Sequence, residues 1–428
     1  MPSSTPVRWL GPVLGAVISA MPSFAQSSEP YRDNLPASHP AIGYETGDVD
    51  DPVSRLAEAV ASGSIVLDHD DRFGYLPSLL ESLDVNADTQ ALVFSKTSLQ
   101  ATLISPRTPR AIYFSDAVAI AVVQGAPLIE LVAFDARRGA VFYTVDSART
   151  ERPRFERPSR CLQCHQQAAT LGVPGPYIGS VSASATGRPD FRLGSVVTDH
   201  RTPFDERWGG WYVTGTHGRQ RHRGNAVARD PATPAGLVDP ANQNLTNLAR
   251  FVATDRLLVP TSDLVALMTF EHQTQMINLF TRIGWEARLA DHDGTLDVGE
   301  AAARRAGIEE IVRYMVFADE APLSEPIAGV SSFTETFPTR GPVDPEGRSL
   351  RDFDLETRLF SYPLSFMIYS DLFDGLPDAI RDGVYARLVV VLEGRADGFE
   401  RLLPEDGAAV LAIVQETKRG LPEAWLTR

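Results

Sequence analysis

Apolar positions along this chain recur with two different periods, and the change of period divides it. Val53, Leu56, Ala57 and Val60 fall at helical spacing between Asp51 and Ser62, and Tyr75 to Leu83 follows the same rule. From there the runs become short and rich in β-branched and aromatic residues. Gln90 to Phe94, Ala111 to Phe114, Ala117 to Val123, Leu128 to Phe134 and Ala140 to Val145 read as strands. Pro106, Pro109, Gly125-Ala126-Pro127 and Arg137-Arg138-Gly139 punctuate them, and the last predicts a hairpin between two neighbouring strands.

After about residue 240 the helical period returns. Asn242 to Ala249 predicts a helix that buries Leu245 and Leu248. Thr261-Ser262-Asp263 then supplies capping residues for a long proline-free helix running toward Arg288. At 100° per residue one of its faces collects Leu264, Val265, Met268, His272, Met276, Leu279 and Ile283. Further helices are expected over Glu300 to Phe317, Leu359 to Leu372, Leu376 to Leu392 and Pro404 to Glu416, with Gly375 and Gly394 as breaks. Phe337 to Pro342 reads as a proline- and glycine-rich connection able to cover a cofactor. The expected class is α+β: a β-rich domain over 51–150, a loop-rich segment over 151–235 and a helical region over 236–428.

Composition adds a compartment. Arg8, the apolar run Trp9 to Ala20 and Ser23-Phe24-Ala25 have the layout of a signal peptide over 1–25, cleaved after Ala25. That run is shorter than the roughly 20 residues a membrane span needs, and no later stretch qualifies, so no span is expected in the mature chain. Residues 26–50 are polar, contain prolines and have no apolar period, and they read as a poorly ordered or surface-running lead in which His39 is solvated. The net charge of −15 over 428 residues argues against nucleic acid as a partner.

The chemistry concentrates at Cys161-Leu162-Gln163-Cys164-His165, which holds both cysteines of the chain. Two thiols at this spacing can each add across a haem vinyl group to form a thioether, and the adjacent histidine can ligate the iron. A structural zinc site would want four ligands, and a redox Cys-x-x-Cys should open a helix after a strand; neither context is present. One covalent haem c is therefore the expected cofactor, bound by Cys161, Cys164 and His165 with His165 as proximal ligand. Arg152, Arg154, Arg157 and Arg160 precede or abut the motif and suit haem propionates as well as a solvated loop.

The pentapeptide resembles the attachment motif of c-type cytochromes. Val93 to Gln100, Trp208 to Gly218 and Ser361 to Pro377 resemble stretches of a family of exported bacterial single-haem proteins without an assigned activity. The resemblance implies export to the periplasm or beyond, and it implies nothing about substrate.

Distal chemistry has several candidates. Trp208, Trp211 and Tyr212, interleaved with glycines, suit close approach to a flat cofactor and would display His217 as a distal ligand, an acid–base group or a surface residue. His222 reads as exposed, and Arg219, Arg221 and Arg223 make a local basic patch. His272 and, less favoured, Met276 share the apolar stripe of the long helix and are the tentative sixth ligands. Asp291 to Asp297 has oxygens at alternate positions but the wrong register for a calcium loop, and reads as a turn. Two functions follow: electron transfer through the iron to a redox partner protein, or a haem-dependent oxidoreductase, peroxidase- or oxidase-like, in which His217 or His272 moves protons and Arg223 faces developing negative charge.

Overall fold

The computed structural model describes residues 33–228, 238–295 and 297–426. The expected signal peptide and its cleavage site lie outside them. The described chain is mixed α and β, with an antiparallel sheet in the N-terminal half and helices in the C-terminal half.

The first helix, α1 (Pro52–Ser62), starts where Asp51 accepts from the Ser54 amide at 2.8 Å while the Ser54 hydroxyl accepts from the Asp51 amide at 2.9 Å. This reciprocal cap satisfies donors that the first helical turn would otherwise leave free. A second, α2 (Leu76–Ser82), follows. The main sheet comprises β1 (Ala91–Val93), β2 (Arg110–Phe114), β3 (Val118–Val123), β4 (Leu128–Asp135), β5 (Gly139–Asp146) and β6 (Phe155–Glu156). A short β9 (Trp211–Tyr212) joins β1 at the edge, giving the order β6-β5-β4-β3-β2-β1-β9. The expected hairpin forms between β4 and β5, with Asp135 opposite Gly139 and the Asp135 carboxylate taking the Arg137 and Arg138 amides. A separate hairpin pairs β7 (Ile178–Val181) with β8 (Ser195–Thr198).

Alternation along the strands gives the sheet two unlike faces. Tyr113, Ile120, Leu131, Val141 and Tyr143 bury one face against α1 and α2. The other carries Arg110, Ile112, Ala121, Glu130, Val132, Phe142 and Thr144, aligned through the pairs Ile112 with Ala121, Ala121 with Glu130, Val132 with Phe142 and Glu130 with Thr144. Arg110, Ile112, Glu130, Val132 and Phe142 on this face are only half-buried.

The long helix is α4 (Leu264–Asp293), capped by Asp263, whose carboxylate takes the Val265 amide at 2.9 Å. It is buried on every side from Leu264 to Trp285. It packs against α5 (Val298–Met315), α6 (Phe333–Thr336), α7 (Asp371–Asp374) and α8 (Asp378–Leu392), with α9 (Pro404–Thr417) laid on α8, all in one apolar cluster. The face opposite the apolar stripe, with Glu271, Thr274, Asn278 and Arg282, is polar and buried as well, because its groups find partners: Asn278 Nδ2 donates to Pro176 O at 2.8 Å and Arg282 Nη1 to Leu171 O at 3.0 Å. Gly294, with φ +70°, ends the helix in a left-handed cap.

Three expectations need correction. Residues 242–249 do not form a helix: Asn244 has φ +54°, and the Asn242 and Asn225 side chains cross-link this stretch to 225 instead. Over 359–372 the buried Leu359, Phe360, Leu364, Phe366, Met367 and Ile368 belong to an irregular run with one 3₁₀ turn, because Pro363 cannot sit inside a helix. Residues 33–50, expected as a poorly ordered or surface-running lead, bury Ile42 and Tyr44, and the Tyr44 hydroxyl donates to Ala140 O at 2.8 Å.

Candidate cofactor-attachment site

Cys161 ends a 3₁₀ turn (Ser159–Cys161), and Leu162–His165 adds one helical turn, α3. The chain beyond it is held on three sides. Gly175 N–H donates to His165 O at 2.9 Å, Asn34 Nδ2 to Gln166 O at 2.9 Å, and Gln166 Nε2 to Leu35 O at 2.7 Å. The returning loop then lies hard against α4: a β-carbon on Gly175 would collide with the Asn278 side chain. Glycine is required here for close approach.

His165 is the best-defined group of the site. Its Nδ1 lies 3.0 Å from Gly175 O, and a carbonyl can only accept, so Nδ1 carries the proton and Nε2 the free lone pair. Burial pushes the imidazole pKa down to about 4, so it is neutral at physiological pH. The ring rests against Phe142 of β5 at 4.6 Å between centroids, with Tyr177 at 5.9 Å. A neutral imidazole whose second nitrogen donates to a backbone carbonyl is the usual state of a metal-ligating histidine.

Both cysteines are unpaired, Cys161 half-buried and Cys164 exposed. Burial, followed by the charge of Glu130, raises the Cys161 thiol pKa. That runs against a redox Cys-x-x-Cys, whose leading thiol is activated by a lowered pKa at the start of a longer helix. Beside Cys161 a cavity of about 270 Å³ is lined by Tyr44, Phe142, Arg157 and Leu162, among others. Arg157 donates to Tyr44 O at 3.0 Å, whereas Arg152 is tied to Ala61 O, back at α1. Of the four expected propionate arginines only Arg157 lines this cavity. Sequence reasoning missed Arg110 and gave Glu130 no chemical role, yet the two form a 2.5 Å ion pair on the half-buried sheet face and act electrostatically on both Cys161 and His165. Arg110 Nε is buried without a partner, a free donor for an anionic group. Only the sheet register brings these strand residues to the pentapeptide.

The remaining candidates lie elsewhere. His217 is fully buried, with Nδ1 on Gln220 O at 2.9 Å and Nε2 accepting from Asn244 N–H at 3.1 Å, so both ring nitrogens are engaged. Its neighbours are Phe204 and His222, and His222 is buried, against the exposed position expected. Two aromatics of that stretch use their polar ends within the protein, Trp211 Nε1 donating to Gly179 O and the Tyr212 hydroxyl to Pro106 O, whereas Trp208 Nε1 is buried without a partner. Of the basic patch, Arg219 pairs with Glu325, and Arg223 Nε reaches Asp205 O at 3.3 Å. His272 sits in a buried polar cluster, with Nδ1 2.8 Å from His200 Nδ1, Nε2 2.7 Å from Ser365 Oγ, and its ring stacked on Tyr314 and Phe317. Alongside, Arg207 and Glu271 pair at 2.9 Å, and burial raises the Glu271 pKa to about 7 despite the arginine. Met276 is two residues from Asn278, roughly 200° around the helix, and so faces away from the 165–176 loop. The 337–342 connection places Phe337 and Arg340 on a different cleft, of about 670 Å³, where Arg340 and Arg351 are neutralised by Asp88 and Asp116.

No family model, curated protein or solved structure matches the chain. This overturns the resemblance to c-type cytochromes and to exported single-haem proteins drawn from the sequence: nothing assigns the chain to either group. What remains is the chemistry of residues 161–165 and their surroundings.

Proposed function

We propose that the chain attaches one haem c through thioethers from Cys161 and Cys164, with His165 Nε2 as proximal ligand, and transfers electrons to a redox partner in the periplasm or outside the cell. The carrying observation is the hydrogen bond from His165 Nδ1 to Gly175 O, which leaves an unprotonated Nε2 beside two free thiols. Haem bound here supplies a one-electron couple at its iron. The chain's own residues do the rest. Gly175 O fixes the imidazole orientation and raises its basicity. Phe142, Val132 and Ile112 offer half-buried apolar surface, while Arg157 and the unpartnered Arg110 Nε offer donors to carboxylates. Exposure at Cys164 keeps this edge within reach of a partner.

A second reading, a haem-dependent oxidoreductase, is favoured by one observation: His217, His272 and Met276 have their donor atoms engaged or directed away from the 165–176 loop. A sixth position without a protein ligand would be open to a small molecule. Spectra of the reduced protein with and without carbon monoxide separate the two. An unchanged low-spin spectrum supports electron transfer alone, and a carbon monoxide complex supports the oxidoreductase. Absence of any haem spectrum after expression with a haem-attachment system would sink both.

Among the described residues no helix is long and apolar enough to cross a membrane.

A further inference from the structure

The end of α4 carries a cluster with no part in the pentapeptide. His39 Nε2 lies 3.5 Å from Asp293 Oδ1, His292 Nδ1 lies 3.0 Å from the same oxygen, and the two imidazoles meet edge to face with centroids 5.0 Å apart. One ligand atom from each of the three residues falls within 4.8 Å of the others. We propose that His39, His292 and Asp293 form a binding site for a divalent transition metal of the zinc class, clasping the 33–47 segment to the C-terminal end of α4.

Geometry, donor type and field agree. Metal–ligand bonds of 2.0–2.1 Å in a tetrahedral site place neighbouring donor atoms roughly 3.3 Å apart, and the two separations through Asp293 Oδ1 lie on either side of that value. Two imidazoles with one carboxylate select zinc, nickel or copper over magnesium and calcium, which prefer all-oxygen sites. His292 and Asp293 are the last residues of a 30-residue helix, where the negative end of the helix dipole favours a cation. Three protein ligands leave a fourth position for water, and the half-exposed side chains admit it.

The proton balance is simple. Ala41 N–H donates to His39 Nδ1 at 3.2 Å, so the ring proton sits on Nε2 and points at Asp293. Coordination moves that proton to Nδ1, gives Nε2 to the metal and ends the Ala41 bond. His292 makes the reverse shift: its Nδ1 faces the Asp293 carboxylate at 3.0 Å and so carries the proton, which moves to Nε2 when Nδ1 binds. Few local signals announce such a site, because its halves are separated by most of the chain.

Zinc titration by calorimetry tests the proposal in the full chain carrying Cys161→Ser and Cys164→Ser, so that the thiols cannot compete. One zinc ion per chain is expected, with at least about 100-fold weaker binding in His39→Ala and in His292→Ala, a larger loss than removal of an outer-shell partner causes, and weakened binding in Asp293→Asn. Zinc should also raise the unfolding midpoint of the parent and leave that of the double variant His39→Ala/His292→Ala unchanged. Absence of zinc binding, or equal binding by parent and double variant, would overturn it. The outcome is independent of haem.

Discussion

Gly175→Ala probes the coupling between the loop and α4 that orients His165. The added methyl would collide with Asn278 Oδ1 and come within 3.3 Å of Thr170 Cβ. Asn278 cannot swing aside without giving up its 2.8 Å bond to Pro176 O. Overpacking of this kind costs about 1–3 kcal/mol. The displaced Gly175 carbonyl is also the acceptor that holds His165 Nδ1, so the proximal ligand should shift with it. Asn278→Ala removes the obstruction at the cost of one hydrogen bond, about 1 kcal/mol, and it also removes an Oδ1 that is buried without a partner. The double variant should therefore be more stable than the sum of the single losses by about 1–3 kcal/mol. Urea unfolding of the four proteins measures the coupling, and their reduced spectra report the ligand. Additive losses, or Gly175→Ala within about 0.5 kcal/mol of the parent with an unaltered spectrum, would refute the packing argument.

Two further outcomes follow from buried carboxylates. Burial raises the Glu320 pKa to about 7, against the Leu359 amide that donates to it at 3.0 Å and the more distant Arg207 and Arg358. A carboxyl whose folded pKa is raised contributes stability below its unfolded pKa and loses it as pH rises through the folded value. The stability of the parent relative to Glu320→Gln should therefore fall between about pH 4.5 and 7 by on the order of 3 kcal/mol, and a pH-independent difference in paired urea titrations would contradict this. Asp51 both caps α1 and accepts the Tyr143 hydroxyl at 2.6 Å. Asp51→Ala should cost about 2–4 kcal/mol from the lost cap and the stranded hydroxyl, Asp51→Asn clearly less, and equal losses in thermal unfolding would show that the cap is not what matters.

Much of the architecture was legible where one period ran long enough to be counted. The first two helices, the five main strands, α5, α8 and α9 all lie where the apolar spacing puts them, with the Arg137-Arg138-Gly139 hairpin between β4 and β5. The two- to four-residue strands β6, β7 and β8 were not read, since they are too short to display alternation. Residues 242–249 and 359–372 carried helical spacing without helices, because irregular segments under the surface bury apolar side chains too. α4 was half-read: its apolar stripe was recognised, but Glu271, Asn278 and Arg282 on the other face would ordinarily mean solvent, and only their partners in distant loops keep them buried. The candidate site divides in the same way. Cys161, Cys164 and His165 are contiguous and readable, whereas Phe142, Arg110 and Glu130 reach them through sheet register. His39 was read as solvated because its partners, His292 and Asp293, lie at the far end of α4.

The most direct test of the central proposal is whether haem stays on the chain when the fold is gone. The mature protein, expressed with a haem-attachment system, is denatured in alkaline pyridine, reduced and scanned, beside Cys161→Ala/Cys164→Ala. One covalent haem c per chain in the parent and none in the double variant is the predicted result. Haem that extracts freely from the parent, or no haem at all, would contradict it.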